Sequence, residues 1–238
     1  EPVREIAKGL RRAKQKIYFH TDASQAPLWI GLNVEKLGCD LMTLDAQKVL
    51  GPKGVGILYI RRGTPVESIL WGGKQEQGVR GGTENVAAAG SFAVALADAQ
   101  NGVANTAKRT EATRDYLWSE IRRLIPDAIL NGPQTWTPRV QGHGVSDTRV
   151  ANNLNISVPG LEAEMAVISM DSLGVAVSTR SACSVGSEEP SHVIQALGIS
   201  QELAGTAIRI TLLPDATKAD ARRIARALSE TSGRYRRV

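Results

Sequence analysis

Residues 39–60, "CDLMTLDAQKVLGPKGVGILYI", place the strongest limit on the fold. Two apolar runs, residues 40–44 and 54–60, lie on either side of Gly51 and Pro52, and Gly54 and Gly56 open the second run. Runs of this length predict strands, and the Gly/Pro cluster between them predicts a tight loop. Lys48 stands between the first run and that loop. A solvated loop lysine is the common case. A lysine held at a strand end, partly desolvated and close to backbone amides, is the alternative, and such an amine can act as a Schiff-base nucleophile.

The flanking pattern extends this beginning into an α/β domain. Residues 2–14 have helical spacing, with Val3, Ile6, Ala7 and Leu10 on one face. A short strand over residues 17–20 ends at Thr21-Asp22, and residues 34–37 make one helical turn. Strands apolar on both faces, separated by connections, predict a sheet covered by helices. A glycine-rich stretch, "ILWGGKQEQGVRGGTEN", precedes two long helices over residues 86–99 and 104–124. After Pro126 the character becomes α+β: strands at 153–158, 175–177 and 208–211 alternate with helices near 162–173, 191–197 and 218–228. Residues 131–138 and 142–146 read as surface loops. The expected division is a large domain over residues 1–96, then linking helices and a smaller domain over 97–238.

Composition excludes several classes. With 42% hydrophobic and 22% charged residues and no long apolar run, the chain is not read as spanning a membrane. The net charge of +5 sits largely at residues 11–16 and 234–237, a helix end and a tail, so nucleic-acid binding is not expected. The two cysteines, Cys39 and Cys183, lack CxxC partners, which argues against a cysteine-only zinc site. Without a secretory leader, a reducing cytoplasmic setting is expected.

Two further residues are chemical candidates. Asp22 ends the first strand; it either caps the following turn, as aspartates there commonly do, or faces a ligand at the carboxyl ends of parallel strands. An aspartate at one strand end and a lysine at the next would suit pyridoxal phosphate, whose ring nitrogen needs a carboxylate and whose aldehyde needs an amine. Cys183, in "STRSACSVGSEEPS", is either a small buried hydrophobe or an exposed loop thiol. Its polar flanks favour the loop, where Arg180 and the helix start near Ser191 would favour a thiolate. Cys39 opens an apolar strand and reads as core.

Four blocks in order, "HTDASQ", "DAQKVLGPKGVGILYIRR", "GGKQEQGVRGGTEN" and "SACSVGSEEPSHVIQALG", resemble the cysteine desulfurases of the NifS/IscS-like branch. These are class V, fold-type I pyridoxal-phosphate enzymes. The resemblance implies that Asp22 pairs with the pyridine nitrogen, Gln25 bonds the phenolic oxygen and Lys48 tethers the cofactor, with Gln47 beside it. Thr83 would reach the phosphate of a neighbouring subunit, which implies a homodimer. Arg209 would clamp the carboxylate of L-cysteine, a task suited to the guanidinium fork, and Asn155 would contact substrate. Cys183 would take the substrate sulfur as a persulfide, leaving alanine, for delivery to a sulfur-acceptor or iron–sulfur scaffold protein.

Three departures accompany the resemblance. The match begins inside the cofactor domain, so the chain is expected to be incomplete and inactive alone. Asp45-Ala-Gln47-Lys48 replaces the usual Ser-x-His-Lys; an aspartate there would repel a phosphate, and glutamine cannot relay protons as histidine does. "TLLPDATK" follows the arginine in place of Ser-Leu-Gly, a change read as harmless. A selenocysteine lyase or a class V aminotransferase are alternatives within the enzymes, the latter disfavoured because transamination has no use for a loop thiol. A degenerate, non-catalytic dimerising or partner-binding module is the alternative outside them.

Overall fold

A computed structural model describes residues 2–133, 149–179 and 190–236. The chain divides into two compact units, Glu1–Ala104 and Asn105–Val238.

In the first unit, α1 (Val3–Leu10) precedes β1 (His20–Asp22), α2 (Val34–Leu37), β2 (Leu41–Asp45), β3 (Gly56–Ile60) and α3 (Val86–Asn101). The sheet order is β1-β2-β3, with β1 parallel and β3 antiparallel to β2. Alternation along β2 sends Met42 and Leu44 into a core with Ala23, Cys39, Ala46, Val49 and Phe92. Thr43 and Asp45 lie on the other face, which also carries His20 and Asp22. The expectation of strands apolar on both faces and buried is therefore corrected: Ile57 and Leu58 of β3 are both exposed. β1 also starts later than expected, at His20.

The glycines between β2 and β3 have a packing reason. A Cβ on Gly51 would sit 3.0 Å from the Ala46 carbonyl oxygen and 3.2 Å from the Ala95 Cβ. Glycine is what lets this loop press against α3. Leu50 just before it takes a left-handed conformation, with φ of 64°.

In the second unit, β4 (Ile129–Leu130), β5 (Asn153–Ser157) and β6 (Ala207–Thr211) form an antiparallel sheet in that order. α4 (Val103–Leu124), α5 (Ala163–Ser172) and α8 (Lys218–Tyr235) cover one face, and α6 (His192–Gln195) and α7 (Gln201–Ala204) are short connectors. Leu154 and Ile156 of β5 and Ile208 and Ile210 of β6 bury against Leu117, Ile121, Met170, Ala225 and Leu228. Thr217 and Asp220 cap α8 reciprocally, each side chain accepting the other's backbone N–H. The strand expected at 175–177 is instead a single bridge, Ser178 to Arg209. β4 went unread because two residues carry no periodicity.

Candidate functional site

Each unit holds part of the expected residue set. In the first, parallel pairing brings the carboxyl ends of β1 and β2 to the same side of the sheet. Asp22 pairs in register with Thr43, and β2 continues two residues further to Asp45 before a 3-10 turn, Ala46–Val49, presents Lys48. Both Asp22 and Lys48 are exposed.

Asp22 Oδ1 accepts from the Ser24 backbone N–H at 2.9 Å and from its hydroxyl at 2.6 Å. These bonds, the side-chain one foremost, with a smaller contribution from the charge of His20, hold the carboxyl below the usual carboxylate range. The turn they close, Ala26 N–H to the Ala23 carbonyl at 2.9 Å, carries Gln25 exposed at its corner. The capping role weighed for Asp22 thus exists. It uses one carboxylate oxygen only, so the two readings are compatible.

Asp45 is engaged locally. Its carboxylate accepts from the Gln47 backbone N–H and from Gln47 Nε2, each at 3.1 Å. The acid that stands where a phosphate donor is usual therefore caps the turn bearing Lys48, and the Gln47 amide is turned onto it.

Thr83 is exposed in the glycine-rich loop that precedes α3. That loop is pinched where Gly72 meets Gly81: a Cβ on Gly81 would lie 2.9 Å from the Gly72 Cα. Glu76 and Gln77 both take positive φ, at 48° and 58°. Such values are uncommon outside glycine, so the loop conformation is specific.

In the second unit, Asn155 and Arg209 are direct cross-strand partners and share the half-buried face. Sequence reasoning missed what supports them. Asn131, read as a loop residue at the surface, is only 2% exposed. Its Nδ2 donates to Asn155 Oδ1 at 2.7 Å and to Ser157 Oγ at 3.0 Å, and Ser157 Oγ donates to the Leu203 carbonyl at 3.0 Å. With Asn155 Oδ1 so occupied, its Nδ2 is left as the donor for a ligand. Ser178 exchanges both backbone hydrogen bonds with Arg209, at 3.1 and 2.6 Å. The chain is thus tied to β6 five residues before Cys183 in sequence. Cys183 and Arg180 lie outside the described residues. Cys39 is fully buried, and burial raises its thiol above the ordinary range, as suits a core residue.

The residues present fit pyridoxal phosphate at its ring end: an ionised carboxylate and an accessible amine share one sheet end. They fit less well where a phosphate donor is expected, because Asp45 can only accept.

The aminotransferase class-V family model matches residues 1–224, and the chain belongs to that family. Within it, the similarity is to the cysteine desulfurases. A cysteine desulfurase IscS of Dictyoglomus turgidum is 41% identical over 220 residues, 92% of this chain and 52% of the relative. The chain thus spans about half the length of the curated relatives it matches. Among solved structures, a NifS-like protein superposes with a TM-score of 0.81 at 29% identity, covering 96% of this chain and 56% of the other. SspA, solved in complex with cysteine, gives 0.61 at 26% identity, covering 91% and 55%. These likenesses give the chain its fold class: part of the large domain of a fold-type I transferase, followed by a smaller α+β domain. Among the described residues no helix is long and apolar enough to cross a membrane, and no cluster of potential metal ligands occurs.

Proposed function

We infer that the chain carries about half of a pyridoxal-phosphate-dependent cysteine desulfurase. Residues 1–96 serve the cofactor and 97–238 the substrate carboxylate and the sulfur. The observation that carries this reading is the parallel register of β1 and β2, with Asp22 and Lys48 at one sheet end.

The cofactor, when bound, supplies an electron sink for breaking bonds at the substrate's Cα and Cβ. The chain's own residues supply the rest. Asp22, whose carboxylate is oriented by Ser24, would pair with the ring nitrogen, and Gln25 would donate to the phenolic oxygen. Lys48 would hold the cofactor and would move the proton at the substrate Cα. Gln47 borders the ring, and Thr83 contributes to the phosphate of a second subunit in a homodimer. Arg209 binds the carboxylate of L-cysteine, and Asn155 donates through Nδ2. The thiolate of Cys183 attacks the substrate sulfur; the Cβ–S bond breaks, the carbon gains a proton, and the products are L-alanine and a Cys183 persulfide. An acceptor protein, such as an iron–sulfur scaffold, then removes the sulfur. The likeness to SspA, solved in complex with cysteine, supports the choice of substrate.

A non-catalytic module is the second reading, favoured by the Asp45–Gln47 pair where a donor to phosphate would stand. Borohydride reduction of the chain with pyridoxal phosphate, followed by peptide mass spectrometry, separates the two. A stoichiometric adduct confined to Lys48, absent in Lys48→Ala, supports the enzyme. Labelling scattered over surface lysines, or none, supports the module. In the complete active enzyme, Cys183→Ala keeps the Lys48 adduct and loses the persulfide.

A further inference from the structure

A second surface, on α8, does not belong to the desulfurase chemistry. Lys218, Arg222 and Arg226 recur every four residues and are all exposed. At a rise of about 1.5 Å per residue, successive cations stand about 6 Å apart along one stripe. None of the three pairs with a described carboxylate, although Arg223, Arg234 and Arg236 nearby are each bonded to carbonyl or carboxylate oxygens.

The stripe is held in place. Tyr116 of α4 lies under it, with Lys218 Nζ 5.2 Å and Arg222 Cζ 6.0 Å from the ring centroid. Arg222 Nη1 also donates to the Tyr116 hydroxyl at 3.3 Å. Arg223 donates to the Gly174 carbonyl at 3.1 Å, closing the end of α5 against α8. Between these anchors runs an open groove, lined by Leu173, Ala219 and Ala227 together with Arg222, Arg223 and Arg226, with Glu230, itself paired to Arg234, at one end. Of the acids close to the stripe, Asp220 caps the helix at Thr217, Glu230 is taken by Arg234, and Glu120 is taken by Arg123 at 2.8 Å. The Glu120 carboxyl is held low first by that bond and further by the charges of Arg123, Arg222 and Arg226.

We propose that this groove docks an acidic amphipathic helix of a partner protein. Its apolar side chains lie against Leu173, Ala219 and Ala227, and carboxylates four residues apart meet Lys218, Arg222 and Arg226. Charge complementarity and matched helical spacing select the acid, and the apolar lining selects a peptide. A nucleic-acid strand fits worse, because the one aromatic ring in the stripe already faces two cations and offers no stacking platform.

The test uses the whole chain and a fluorescent peptide of about four helical turns, with Glu and Leu at i, i+4 spacing. Anisotropy should report saturable binding that weakens as salt rises, since exposed charges are screened beyond about 10 Å at 0.1 M. Arg222→Glu/Arg226→Glu should weaken it at least about tenfold. Arg12→Glu/Lys14→Glu, an equal change in net charge at the end of α1, should leave it within about twofold. If the first variant loses its helical far-UV spectrum, Arg222→Gln/Arg226→Gln replaces it, with a smaller loss expected. Absent binding, unchanged affinity in the α8 variant or equal loss in both variants overturns the proposal. Displacement of the peptide by an oligonucleotide of equal charge at lower concentration overturns it in favour of nucleic acid.

Discussion

Ser24 lowers the pKa of Asp22, the carboxylate at the candidate site. Because the folded carboxyl sits below its ordinary range, the bond from Ser24 adds stability above the ordinary carboxylate value. That contribution is lost as pH falls through the lowered folded value. Ser24→Ala should therefore move the Asp22 midpoint upward, read by carboxyl-carbon NMR titration; an unchanged midpoint would remove Ser24 as the cause. Asp45 makes a second prediction at this scale. Asp45→Ala strips the cap from the turn bearing Lys48 and should cost about 1 kcal/mol in urea unfolding. Asp45→Ser keeps an accepting cap and should cost less. The presence of Asp22, Lys48 and Asp45 could be read from the chain, but the partners that set their chemistry could not. An aspartate two residues from a serine, or from a glutamine, bonds it only in one backbone conformation.

Among the elements, the pairing of β5 with β6 carries the most. Asn155 and Arg209 are 54 residues apart in sequence and meet because the two strands align in one register. Asn131→Ala would leave Asn155 Oδ1 and Ser157 Oγ with fewer partners in a buried place, and should destabilise the second unit by about 1–3 kcal/mol. Chemical denaturation measures this. On the reading proposed here, KM for L-cysteine should rise more than kcat falls in the complete enzyme. Gly51→Ala should cost about 1–3 kcal/mol by overpacking the loop against Ala95 of α3. Periodicity made the strands and long helices legible, with ends displaced by a few residues. It made Asn131 illegible, since a polar residue beside Gly132 and Pro133 has the local signature of an exposed turn.

At the scale of the molecule, unsatisfied apolar surface is the feature with consequences. Ile69 and Trp71 are 91% and 88% exposed, and α3, apolar along most of its length, buries only Phe92. A helix apolar all round is ordinarily buried, and clustered exposed apolar side chains mark interaction sites. The chain should therefore self-associate in sedimentation experiments, and Ile69→Ser/Trp71→Ser should shift the distribution toward monomer. A monomer at all concentrations would argue against a dimer formed through this loop.

By itself the sequence determined the local alphabet: which segments are strands and helices, where glycine is required, and which side chains could bear charge, nucleophile or thiol. It did so because propensity, periodicity and turn chemistry act over a few residues. Only the tertiary structure decided that β3 runs against β2, that Asp45 spends its carboxylate on Gln47, that Asn131 is buried under Asn155, and that Lys218, Arg222 and Arg226 of α8 have no carboxylate partner among the described residues. Except for the Asp45–Gln47 bond, which needs one local backbone conformation, each depends on groups brought together across the fold, and those energies exist only once the chain has closed on itself.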